Sequence, residues 1–104
     1  MDEIDKVLTK AAALIKKNEL SHGATARDRY GIHVASDNPR AVSYCALGAI
    51  NKNTTDLQTY RDACDRLDTF LGKSPILWSD SSDKETVVKG LLAARTTVKK
   101  KTNG

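Results

Sequence analysis

Aromatic side chains are scarce in this 104-residue chain, which holds three Tyr, one Phe and one Trp. Its core must therefore rest mainly on aliphatic packing. Cysteine is scarcer still. Cys45 and Cys64 are too few for a disulfide framework, and in the reducing compartment indicated below they are expected to stay thiols. No apolar run approaches the roughly 20 residues that cross a bilayer, and the opening MDEIDK is acidic where a secretory leader is basic. The expectation is a cytoplasmic protein with no membrane association.

Signatures for metals and nucleotides are missing as well. Zinc takes four Cys or His ligands in closely spaced pairs, whereas His22, His33, Cys45 and Cys64 each stand alone. Gly72, Lys73 and Ser74 spell the end of a phosphate-binding loop, but Leu67 occupies the position of its first glycine and a helical pattern precedes it. No cofactor is expected.

What is present is an ordinary globular composition, 39% hydrophobic and 29% charged, at a length that suits one domain. Residues 1–98 read as that domain and 99–104 as a lysine-rich, flexible tail. Ile4, Val7, Leu8, Ala11, Leu14 and Ile15 recur at helical spacing, with Asp2, Glu3 and Asp5 at the positive end of the helix dipole and Lys16 and Lys17 at the negative end. Residues 21–38 lose that period and form a long loop, within which Tyr30, Ile32 and Val34 alternate as a short extended segment.

The segment from Ala41 to Ile50, AVSYCALGAI, is uncharged and predicts a buried central helix capped by Asn38, with Pro39 at its first position. Leu57, Tyr60, Ala63, Cys64, Leu67, Phe70 and Leu71 mark a third helix, opened by a Thr55 and Gln58 capping box and closed by Gly72. Residues 73–82, which include Trp78, read as an apolar loop that pairs with the Tyr30–Val34 segment as a minimal two-stranded ribbon. Ser82 and Glu85 then open a last helix carrying Val87, Val88, Leu91, Leu92, Ala94 and Val98, in which Gly90 implies close packing. The expected fold is all-α, a bundle of four main helices.

Chemistry within this frame is thin. Cys45 and His33 form the one conceivable nucleophile and base, but the apolar neighbours of Cys45 make its thiol inert. Asp56, Asp62, Asp65 and Asp68 read as a solvated helix face. The net charge of +4 lies entirely after residue 82, where Lys84, Lys89, Arg95, Lys99, Lys100 and Lys101 could contact phosphates. A lysine-rich helix end also compensates the dipole and aids solubility, and that is the favoured reading.

The Tyr44-Cys45-Ala46-Leu47-Gly48-Ala49-Ile50 string, with a Trp78-Ser79-Asp80 turn before a closing helix holding Val87 and Leu91, resembles a family of small uncharacterised actinobacterial and bacteriophage proteins. That family has a Cys-Ala-x-Gly-Ala core helix and a Trp-Asn-Asp turn; Ser79 stands here in place of the Asn. The resemblance implies a small helical domain in a bacterial or phage setting; the family has no established activity to carry over. The functional expectation is a non-enzymatic interaction module, an accessory or regulatory protein that binds and modulates a host or defence protein. Arg27, Arg29, Tyr30, His33 and Trp78 are its candidate contact residues, because aromatic and Arg side chains dominate hot spots. Nucleic-acid binding through the basic last helix is the first alternative, and a small enzyme using Cys45 and His33 the second.

Overall fold

The first helix forms where the periodicity predicts it. In the computed structural model, which describes residues 3–95, α1 spans Glu3–Lys17 and buries Val7, Leu8, Ala11, Ala12 and Ile15. Asn18 ends it by donating from both its backbone N–H and its side-chain amide to the Leu14 carbonyl. α1 touches α2 (Ala46–Lys52), α3 (Leu57–Leu71) and α5 (Lys84–Ala94), and so serves as the central helix in place of the 41–50 segment.

The chain is not all-α. Three two-residue strands, β1 (Glu19–Leu20), β2 (Ala26–Arg27) and β3 (Ser43–Tyr44), form a sheet in the order β1-β3-β2. β3 runs parallel to β1, with Glu19 opposite Ser43, and antiparallel to β2, with Ala26 opposite Tyr44. The expected central helix is therefore divided, with strand at Ser43–Tyr44 and helix only from Ala46. An uncharged segment suits a two-faced buried strand as well as a buried helix, and Ser43 and Tyr44 are both buried. Asn38 and Pro39 belong instead to a turn, in which the Asn38 carboxamide oxygen accepts from Arg40 N and its carbonyl from Ala41 N.

α2 is what remains of that helix, Ala46–Lys52, capped by the Cys45 thiol, which accepts from Gly48 N at 3.3 Å. α3 spans Leu57–Leu71 and α5 spans Lys84–Ala94. Their caps are not Thr55 and Ser82 but the next residues. Asp56 accepts from Thr59 N, and Asp83 accepts from Thr86 N. A carboxylate accepts more strongly than a hydroxyl at a helix N-terminus, because it also meets the dipole. Gly72 takes the left-handed conformation, φ 69°, that closes α3.

The apolar loop at 73–82 is a further helix, α4 (Pro75–Ser81), with Ser74 as cap and Pro75 in its first turn. It leaves no ribbon with Tyr30–Val34; His33 bridges Arg27 instead. Leu8, Ile15, Ile50, Leu67 and Leu91 are fully buried in the core shared by all five helices, each worth about 1.5–3 kcal/mol over exposure. Val98 and the lysine-rich tail lie outside the described residues.

Candidate functional site

The strings that carry the family resemblance turn out to be joints of the fold. Trp78, 7% exposed, lies against Gly90 of α5, where a Cβ would stand 2.5 Å from its ring. Ser79 accepts from Ala46 N at 3.0 Å and so caps α2 from another element, while Asp80 accepts from Gly23 N at 3.0 Å. Three consecutive residues thus tie α4 to α5, to α2 and to the 21–25 loop. On the other string, Cys45 caps α2 and Gly48 lets the Thr25 carbonyl approach until a Cβ would lie 2.0 Å from it. Trp78, expected among the surface contacts, is a core residue.

One cleft, about 400 Å³, brings His33 and Cys45 together with Thr25, Tyr60, Ile76 and Asp80. The juxtaposition expected of the enzyme reading exists, but its chemistry is unfavourable. Burial pushes the Cys45 thiol up, against hydrogen bonds from the α2 backbone that lower it. Among the described residues no hydrogen bond joins His33 to Cys45. Cys64 is pushed up to about 11 by burial, and Tyr60, which hydrogen-bonds to it, to about 12. These are protonated groups at neutral pH, not activated nucleophiles. Among the described residues no cluster of three or more His, Cys, Asp or Glu is placed to hold a metal ion.

A second cleft, about 620 Å³, lies between two turns and is lined by Asp28, Arg29, Tyr30, Ile32, Pro39, Arg40 and Val42. Its shape follows from the hairpin that β2 opens. Asp28 Oδ1 accepts from the amides of Tyr30 and Ile32, Gly31 turns the chain at φ 82°, and Asp28 N returns to the Ile32 carbonyl. Arg27 splints this loop, donating to the carbonyls of Gly31 and His22. Arg27 is thereby occupied internally. Arg29 lies over the Tyr30 ring at 5.1 Å and donates to its hydroxyl at 2.9 Å. Tyr30 is 73% exposed, Ile32 60% and Val42 41%.

Of the expected contact residues, then, the fold gathers Arg29 and Tyr30 in one groove. It places His33 in the other cleft, Arg27 in the loop scaffold and Trp78 in the core. Pro39, Arg40 and Val42 escape the sequence reading because a buried helix starting at Pro39 hides them; the Asn38-Pro39 pair is a turn signal that points to them. The basic residues of the last helix are partly engaged. Lys84 bonds the Asn18 carbonyl, Lys89 pairs with Glu85 at 3.1 Å, and Arg95 bonds Leu92 O and Thr9 Oγ1. Lys99, Lys100 and Lys101 lie outside the described residues.

No helix among the described residues is long and apolar enough to cross a membrane. The model of a family of unknown function, DUF6197, matches residues 1–97. No curated protein and no solved structure matches the chain.

Proposed function

This chain belongs to the DUF6197 family of unknown function, so its role has to be read from its own surface, and we propose a non-enzymatic protein-interaction module that binds through the groove between residues 28–32 and 39–42. The observation that carries the reading is the exposure of Tyr30, Ile32 and Val42 side by side with Arg29 and Arg40 around one concavity. Solvated apolar side chains scattered singly need no explanation, but a cluster in a groove edged by Arg and Tyr has the composition of an interface centre. The thiol of the neighbouring cleft, Cys45, and Cys64 behind it are both pushed up by burial, which favours binding over catalysis. The setting that the resemblance implies is a bacterial or phage-infected cell, and the partner a host or defence protein whose activity the bound module alters.

Affinity capture from such a lysate, with the full chain and with a Tyr30→Ala/Ile32→Asp variant, tests the reading. A stoichiometric partner held by the first and lost by the second is expected. No stoichiometric partner, or one held equally by both, overturns it.

A further inference from the structure

We propose that the segment this groove takes is an extended acidic peptide, its carboxylates on Arg29 and Arg40 and its apolar side chains against Ile32, Val42 and Tyr30; the inference rests on the groove being an interaction surface. Two guanidinium groups and one carboxylate line the concavity. That carboxylate, Asp28, turns an oxygen into its own loop, on the Tyr30 and Ile32 amides at 2.9 and 3.0 Å. It is thus held by the loop, and the charge offered outward is positive. The Arg40 side chain meets no partner among the described residues, and its backbone is fixed by the Asn38 carboxamide at 2.8 Å. Arg29 is held in place by Tyr30, through the hydroxyl and over the ring. Guanidinium presents a planar fork of donors that fits a carboxylate, and a side chain already held loses less freedom on binding.

The apolar walls decide what bears the carboxylates. A free anion would leave Ile32, Val42 and Pro39 unused, whereas an extended peptide with an acidic and an apolar residue two apart on each face meets both kinds of group on each wall. Single-stranded nucleic acid is the other polyanion to weigh. It binds on stacked aromatic faces, and this groove has one aromatic ring, with Arg29 lying over it.

The test is fluorescence anisotropy with the full chain and a short, end-capped, fluorescein-labelled peptide repeating Glu-Glu-Leu-Leu, which puts both residue types on each face when extended. Binding should weaken as NaCl rises and disappear when lysine replaces glutamate. Arg40→Ala and Arg29→Ala should each weaken it about tenfold, as loss of one charge-assisted hydrogen-bonded contact implies. Arg40→Ala removes no internal contact of that side chain among the described residues, and circular dichroism checks that the fold is kept. No binding, binding indifferent to both substitutions, or tighter binding of a labelled oligouridylate overturns the proposal. The groove itself is judged separately by partner capture with Tyr30→Ala/Ile32→Asp, which can succeed where the acidic peptide fails.

Discussion

Gly90 of α5 lies under the indole of Trp78, so close that a Cβ at that position would stand 2.5 Å from Cζ2 and 2.7 Å from Cη2. Glycine in mid-helix costs about 0.5–1 kcal/mol relative to alanine. Gly90→Ala should nonetheless destabilise the protein, because overpacking costs about 1–3 kcal/mol and the buried indole has little room to move. Thermal melting followed by circular dichroism checks the sign. In a Trp78→Phe background, which lacks the two crowded ring atoms, the same substitution should become neutral or stabilising, a coupling that a double-mutant cycle reads directly.

Gly48 is the stricter case. Its hypothetical Cβ meets backbone, the Thr25 carbonyl oxygen at 2.0 Å, and that same carbonyl accepts from Cys45 N at 3.1 Å. Gly48→Ala must push apart the loop and the start of α2. The loss should exceed that of Gly90→Ala, at or above the upper end of the ~1–3 kcal/mol range for overpacking. Urea denaturation of the two variants ranks them; a milder effect at Gly48 would contradict the packing described.

Stability should fall in alkali. The Cys64 thiol moves from 9.0 to about 11 on folding, chiefly by burial. Between those values the unfolded chain has given up a proton that the folded chain still holds, so stability declines as pH rises through the window. Tyr60, raised from 10.0 to about 12 by burial and its thiol neighbours, carries the decline further. Cys45 contributes in the same direction. Urea midpoints measured from pH 8 upward should fall steadily past pH 9.0. In Cys64→Ala the part of the slope beginning at that pH should flatten.

The helix caps give the opposite edge. Hydrogen bonds from Thr59 and Thr86 hold the Asp56 and Asp83 carboxyls below 3.8. Their stabilisation is present above that value and is lost as pH falls through the lowered folded values. Asp56→Asn/Asp83→Asn keeps an acceptor at each cap but cannot titrate. Its melting temperature should drop less steeply in acid than that of the parent chain.

α1 and α3 were legible because their apolar stripes run long enough to show a period, Ile4 to Ile15 and Leu57 to Leu71. The 41–50 segment carries no period: uncharged throughout, it gives no contrast by which to tell strand from helix, and only pairing with β1 and β2 divides it. The caps slipped by one residue where hydroxyl and carboxylate stand adjacent, as at Thr55 and Asp56. α4 is too short for periodicity, yet Ser74-Pro75 is a helix-start signal in plain view. Of the groove, Arg29 and Tyr30 were legible by residue type; Arg40 and Val42 needed the fold, since they reach Tyr30 only across the sheet.

The strand order β1-β3-β2 places the last strand made between the two made before it. During synthesis Glu19–Leu20 has no ladder partner, and Ala26–Arg27 has only the His33 bridge, until residues 43 and 44 leave the ribosome. The first half of the nascent chain is then a helix trailing a locally closed loop, and the two walls of the groove meet only when Ser43 and Tyr44 slot between the strands made before them.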